Sequence, residues 1–333
     1  MFKRRLGKSG IEINAMGLGC ITLGGPWART HRGGEVFYPG KVDENEIARA
    51  IHRALDLGVN FFDTAANYGA GRSERMLGRA LVGQRDKVVI ATKFGYLVDE
   101  ENNRTDFYGG DENSDEVATH IREDCEASLR RLGTDYIDLY QFHIGDYSPS
   151  KAARVCDMLE ELVEEGKIRW YGWSTGNLEG ARVFAQGKHC AAIQHELNVI
   201  DDAPGMLSIC DEFDQASINR SPLAEGLLTG KYHIGFKFPE NDFRNRDRFR
   251  KNYIIPILGG LDTVRDILTS GGRTLAQGAL AWIWARCDRS IPIPGFKTVA
   301  QVEENVGAMH FGPLTAEQMK AIEIVLGRRQ VIE

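Results

Sequence analysis

Four residues of complementary chemistry punctuate the first half of the chain. Asp63 closes the apolar run Asn60–Asp63, Tyr68 follows in Thr-Ala-Ala-Asn-Tyr-Gly, Lys93 ends Ile90-Ala-Thr-Lys, and His143 ends Asp138-Leu-Tyr-Gln-Phe-His. A phenol with a pKa near ~10 is a poor proton donor or acceptor at neutral pH. A lysine beside it favours the phenolate and draws that pKa toward the working range. Asp63 would hold the ammonium in position and keep it charged. His143 would donate a hydrogen bond to a carbonyl oxygen, orienting and polarising it, and Tyr68 would protonate that oxygen as a hydride reaches the carbon. This is carbonyl reduction or its reverse, and it needs a hydride source that no side chain supplies. Singly, each residue has an ordinary explanation as a turn cap, a loop aromatic, a solvated strand end or a satisfied buried histidine. Four such residues at equivalent places point to chemistry instead.

Equivalence of place is a statement about the elements. Lys3–Leu6 and Ile11–Asn14 flank Gly7-Lys-Ser-Gly10 as a hairpin, and Ala15–Gly19 reads as a short first strand. Asp43 caps a helix whose apolar positions Ile47, Ala50, Ile51, Ala54 and Leu55 recur at three- to four-residue spacing up to Gly58. Strands over 60–63, 87–93, 136–143, 168–174, 191–196, 215–219 and 290–292 then alternate with helices. The helices are expected over 73–82, 114–132, 150–165, 178–186, 205–213, 255–270 and 274–287, with two more at 299–308 and 315–326. Residues 20–42, with Trp27, Phe37 and Tyr38, and residues 224–253 read as long loops.

This alternation, without a composition break, predicts one domain over 1–333. An open doubly wound sheet should begin with G-x-G-x-x-G, but Gly17-x-Gly19 and Gly69-x-Gly71 both lack the third glycine. The expectation is therefore an α/β fold, a (β/α)8 TIM barrel with an N-terminal hairpin and extra C-terminal helices. Barrel chemistry gathers at the carboxyl ends of the strands, which brings all four residues to one mouth.

The totals narrow the function classes. A net charge of −6 gives no basic surface for nucleic acid. The six cysteines show neither a C-x-x-C pair nor metal-ligand spacing, so reduced core thiols are expected. Met1-Phe-Lys-Arg-Arg has no apolar run behind its charges, and no stretch approaches the ~20 apolar residues of a membrane span. A cytoplasmic protein acting on a small carbonyl or alcohol is expected, with no metal, nucleic acid or membrane partner. The oligomeric state is left open.

With those segments in view, nearly the whole chain resembles the aldo-keto reductase family. Asp-Thr-Ala-Ala-Asn-Tyr-Gly (63–69), Ala-Thr-Lys (91–93) and Asp-Leu-Tyr-Gln-Phe-His (138–143) are similar to its catalytic segments. The resemblance implies NADP(H) bound in extended form on a (β/α)8 barrel. It further implies that Ser174 and Thr175 of Gly-Trp-Ser-Thr, with Gln194, hold the nicotinamide amide. Arg220, Ser221, Pro222, Leu223, Gly226 and Lys231 resemble the pyrophosphate and nicotinamide segment. Gly295, Lys297, Thr298, Gln301, Glu304 and Asn305 resemble the adenosine site, where Lys297, the Thr298 hydroxyl and N–H groups at a helix start would meet a 2′-phosphate. Arg220 stands where many members carry an aromatic residue, and Thr175 replaces a common asparagine.

Two other readings remain at this level. Lys93 could serve as a Schiff-base nucleophile in an aldolase-like barrel, or the protein could use NADP(H) occupancy as a regulatory signal. The basic loop Lys237–Lys251, with Arg244, Arg246, Arg248 and Arg250, reads either as a solvated surface loop or as a lid over the dinucleotide phosphates. Trp27, Phe37, Tyr96, Phe107, Tyr108 and Tyr147 should ring the mouth.

Overall fold

The computed structural model describes residues 2–37, 40, 42–240, 242–245 and 249–328. Tyr38, Arg246, Asp247 and Arg248 from the loops singled out above lie outside the described residues, as does the side chain of Arg250.

The chain opens with an antiparallel hairpin, β1 (Lys3–Arg5) and β2 (Glu12–Asn14), in which Lys3 pairs with Asn14. Then come β3 (Leu18–Gly19), a second hairpin β4 (Trp27–Arg29) and β5 (Glu35–Phe37), and helix α1 (Glu44–Asp56). The Asp43 carboxylate accepts from the Asn45 and Glu46 backbone N–H groups, the N-cap expected for that helix. Next are β6 (Phe61–Asp63), α2 (Arg72–Ala80), β7 (Val89–Phe94), β8 (Tyr96–Asp99), β9 (Arg104–Phe107) and α3 (Glu116–Leu132). Regular alternation continues through β10 (Ile137–Phe142), α4 (Pro149–Glu164), β11 (Ile168–Ser174), α5 (Leu178–Ala185), β12 (Cys190–Glu196), α6 (Pro204–Glu212) and β13 (Ala216–Arg220). The last elements are α7 (Ile255–Thr269), α8 (Leu275–Arg286), β14 (Ser290–Pro292), α9 (Val299–Phe311) and α10 (Ala316–Val325).

Eight strands, β3, β6, β7, β10, β11, β12, β13 and β14, form one parallel sheet in chain order. Gly19 N–H donates to Pro294 O at 3.0 Å and Gly17 N–H to Pro292 O at 3.1 Å, so the last strand returns to the first and the sheet is the expected barrel. Leu6 and Ile13 from the opening hairpin pack with Phe61, Val89, Leu139, Ala216 and Ile291 inside it, sealing the amino-terminal floor. The larger apolar layer lies between strands and helices. Among the described residues, no helix is long and apolar enough to cross a membrane.

The loop reading of residues 20–42 is corrected. β4 pairs with β5 on one side and β9 on the other, and β9 pairs with β8, giving a separate four-stranded sheet in the order β5-β4-β9-β8. Strands of three or four residues are too short to show a period of two. What holds them is aromatic pairing, with Trp27 against Phe37 at 4.7 Å and Tyr96 stacked on Phe107 at 5.4 Å between ring centroids. The first barrel strand is also shorter than Ala15–Gly19, comprising only Leu18 and Gly19.

One close approach fixes the segment after β6. A Cβ on Gly69, where φ is +60°, would lie 2.0 Å from Gly24 O, and one on Gly24 would lie 2.7 Å from the Tyr68 carbonyl carbon. Gly69→Ala should therefore cost about 2–4 kcal/mol, combining left-handed strain with a clash that must move backbone. At Gly83, with φ of +74° and nothing within 4 Å, alanine should cost only the strain, about 1–2 kcal/mol. Urea unfolding of both variants measures the difference, and equal losses would mean that the Gly24–Gly69 contact does not constrain the loop.

Candidate active site

Parallel pairing aligns the carboxyl ends of the strands. Lys93 stands level with Gln141, and Ser174 with Gln194. The Lys93 ammonium is fully buried and donates to Asp63 Oδ1 at 2.5 Å, Thr64 O at 2.9 Å and Tyr68 Oη at 3.4 Å. Gln141 and Gln194 each donate from Nε2 to the other carboxylate oxygen of Asp63, at 2.9 and 2.8 Å. A buried ion pair persists only when its remaining hydrogen-bonding capacity is satisfied, and here both partners are satisfied. Burial alone would lower the lysine pKa, but the Asp63 charge and the bonds to Asp63 and Tyr68 outweigh it and hold it above the ordinary 10.5. A Schiff-base nucleophile needs a neutral amine. Lys93 is held protonated and does not line the cavity, which argues against the aldolase reading.

Tyr68 and His143 face the cavity edge to face, with ring centroids 5.8 Å apart. Burial pushes the Tyr68 phenol above its ordinary value, while Lys93 pulls it back only in part. The lowered value anticipated from sequence is thus corrected, because desolvation of the phenolate exceeds its attraction to the ammonium. The phenol is protonated at neutral pH, as a proton donor must be. Burial also pushes the His143 pKa well below 6.5, and the Lys93 and Arg220 charges add to the effect. Its neutral ring can donate from one nitrogen, and its Nδ1 is buried without a hydrogen-bond partner.

These groups open onto a cavity of about 630 Å³. Asp63, Ser174, Gln194, Arg220, Ser221, Pro222, Leu223, Gly226 and Lys231 are among the residues that line it. Gly295, Lys297, Gln301, Glu304 and Asn305 line it as well. Thr175 and Thr298 are outside the lining. The Thr175 hydroxyl donates to Gly145 O at 2.6 Å, and Thr298 caps α9 by accepting from Gln301 N–H at 3.2 Å. The Val299 N–H donates to Glu46 Oε1 at 2.9 Å. Those two N–H groups at the helix start, expected to receive a phosphate, therefore already have partners.

Ser221, Ala224, Glu225 and Gly226 all have positive φ between 46° and 87°. Three non-glycine residues held there store backbone strain, as ligand-gripping turns commonly do. The described part of the 237–251 loop lies against the same cavity. Phe243 stacks on Phe37 at 5.1 Å, and Arg244 binds Asp242 and donates to Glu225 O at 3.0 Å. Burial and the nearby Arg244 charge both lower the Lys297 pKa. Arg220, Lys231, Arg244 and Lys297 thus all line this cavity, and Arg220 is also held by Glu196 at 3.2 Å. Such a donor set fits a polyanion.

Gln141 escaped the sequence reading. Its signal was position, two residues before His143 on a strand and therefore on the same face. Of the aromatic residues expected at the mouth, Trp27, Phe37 and Tyr96 line the cavity. Tyr108 instead donates to Asp124 at 2.6 Å, Tyr147 packs on Phe142, and Phe107 backs Tyr96.

The model of the Aldo/keto reductase family matches residues 15–326. The chain belongs to this family. It is 32% identical to the aldo-keto reductase yakc [NADP(+)] of Schizosaccharomyces pombe, over 92% of this chain and 86% of that protein. Among solved structures it is similar to the glycerol dehydrogenase AKR11B4 of Gluconobacter oxydans, with TM-score 0.80, 29% identity and coverage of 98% and 96%. It is also similar to the holo form of aldo-keto reductase AKR11C1 of Bacillus halodurans, with TM-score 0.77, 28% identity and the same coverage.

Within this aldo/keto reductase, removing the ammonium in Lys93→Met leaves the Asp63 carboxylate buried and uncompensated, which should cost about 3–5 kcal/mol. Asp63→Asn/Lys93→Met should recover part of that loss. Because the folded lysine pKa is raised, its stabilising contribution is complete below the unfolded value near 10.5 and fades as pH climbs through the higher folded value. Denaturant unfolding from pH 7 upward should therefore show a steeper alkaline limb in the wild type than in Lys93→Met, beyond the loss that buried tyrosines such as Tyr96 and Tyr140 cause in both.

Proposed function

We propose that this chain interconverts small aldehydes or ketones and their alcohols with NADP(H), with Tyr68 as the general acid and base. The observation that carries this reading is the single buried ammonium shared by Asp63, Thr64 and Tyr68, with His143 beside the phenol and all of them behind one cavity mouth. The cofactor assignment is supported by the cations Arg220, Lys231, Arg244 and Lys297 on the cavity lining and by the S. pombe relative, whose name carries NADP(+). When bound, the nicotinamide supplies or receives the hydride. The neutral His143 ring donates to the substrate oxygen and fixes its position near Tyr68. The phenol gives its proton to that oxygen in reduction, and Lys93 stabilises the phenolate left behind. In oxidation the same phenolate takes the alcohol proton. Asp63, held by Gln141 and Gln194, keeps the ammonium charged and aimed at the phenol. The whole of 1–333 is read as one barrel domain.

Tyr68→Phe should lower kcat for NADPH-driven aldehyde reduction by about 10²–10⁴-fold with little change in NADPH affinity, the usual contribution of a positioned acid. Near wild-type turnover in that variant would remove Tyr68 from the chemistry. With the His143 pKa far below 6.5 and the phenol pKa above 10.0, kcat for reduction should be level from about pH 6.5 to 9. A limb near pH 6.5 would contradict a neutral His143.

The 2′-phosphate that distinguishes NADPH from NADH is assigned to Lys297 at the adenosine end. Lys297→Ala should weaken NADPH by about ten- to a hundredfold, the worth of one charge-assisted contact, and leave NADH nearly unchanged. Fluorescence titration of both cofactors compares the losses, and equal losses would exclude Lys297 as the phosphate reader.

A further inference from the structure

The separate four-stranded sheet stands over the barrel mouth and forms the cavity wall nearest the reacting groups. Trp27 lies 6.3 Å from Tyr68 between ring centroids, and Tyr96 lies 5.6 Å from His143. A substrate whose carbonyl oxygen sits between Tyr68 and His143 must lay the rest of its chain along this wall. Its lining side chains are Trp27, Arg29, His31, Arg32, Phe37 and Tyr96, which include two guanidinium groups and no carboxylate.

We infer that this wall selects carbonyl substrates bearing an anionic group, a carboxylate or a phosphate, which Arg32 and the Trp27 indole N–H receive. The inference rests on the proposed role of Tyr68, because that role fixes where the carbonyl lies.

Three observations carry it. Arg220 and Arg244, elsewhere on the cavity, are each matched by an acid, Glu196 and Asp242, and Arg29 is matched by Glu35 at 3.4 Å. Arg32 is exposed at the rim and has no carboxylate partner among the described residues. Trp27 is only 3% exposed, yet its Nε1 has no hydrogen-bond acceptor. An indole nitrogen can only donate, so an oxygen brought by a ligand would answer a desolvated group that the protein leaves unanswered. The Arg32 charge also reaches along the wall. Burial raises the Tyr96 pKa to about 12, with Arg32 the largest opposing influence.

A neutral polyol would satisfy Trp27 but leave Arg32 unused, and the two cases separate in a paired comparison. The probes are 4-oxobutanoate against butanal and glyceraldehyde 3-phosphate against glyceraldehyde, each reduced with NADPH. The anionic member of at least one pair should have a kcat/KM about tenfold higher, the scale of one partly solvated charge contact. The pair that responds tells carboxylate from phosphate. Arg32→Glu should bring that ratio to one or below, and Arg32→Lys should keep most of it. Turnover without an anionic preference in either pair, or a preference that survives Arg32→Glu, overturns the inference while leaving the Tyr68 reading intact. A second arm uses no turnover. Succinate and glycerol 3-phosphate are titrated calorimetrically into protein saturated with NADP(+). Binding that weakens about tenfold in Arg32→Glu but not in Arg32→Lys supports the wall even if no aldehyde is reduced. Binding that is absent, or indifferent to Arg32, overturns it.

Discussion

A fully buried ammonium is costly unless every proton on it finds an acceptor, and much of the architecture near Lys93 answers that demand. Asp63 comes from β6, and the two carboxamides that fix it come from β10 and β12. The barrel is what allows these strands to meet. Their parallel register sets Lys93 level with Gln141 and Ser174 level with Gln194, so one layer of inward side chains becomes a connected polar network. The proposed acid Tyr68 touches this network at one point, through a longer contact of 3.4 Å.

The division of labour follows the chain. The groups proposed for proton transfer stand on the segments from β6 through β10, and the residues proposed to hold the cofactor stand on the segments from β11 onward, the 242–244 stretch among them. The two meet where β10 pairs with β11, and β3 closes the ring between β14 and β6. The strained turn at Ser221–Gly226 and the Arg244 contacts lie wholly in the second group. Rearrangement of that grip therefore need not disturb the Asp63–Lys93 pair.

Much of this was legible in the sequence, and the exceptions have physical causes. Strand ends were readable because runs such as Ile90-Ala-Thr-Lys93 stop abruptly at polar residues, and the barrel followed from regular alternation. The hairpins of the mouth sheet were not readable, since three-residue strands held by aromatic pairs carry no periodic signal. Gln141 was hidden because a glutamine within an apolar strand declares no role until its neighbour across the sheet is known. The phenol pKa was misjudged for a related reason. Sequence pairs Tyr68 with a cation but does not weigh how much water the pair has lost. Thr298 likewise proved to be a helix cap, and Glu46, remote in the chain, had already claimed the N–H of Val299.

The opening hairpin has a consequence for hydrogen isotopes. Leu6 and Ile13 stop the barrel floor, and two of the three Lys93 protons are directed inward, to Asp63 and to Thr64 O. The third points to Tyr68, the contact nearest the cavity. Solvent deuterium can thus reach the ammonium only from the cavity side, past Tyr68 and Asp63, and anything seated over both narrows that route. With the floor stopped and the mouth occupied, isotope exchange at Lys93 should be slower than with the mouth empty.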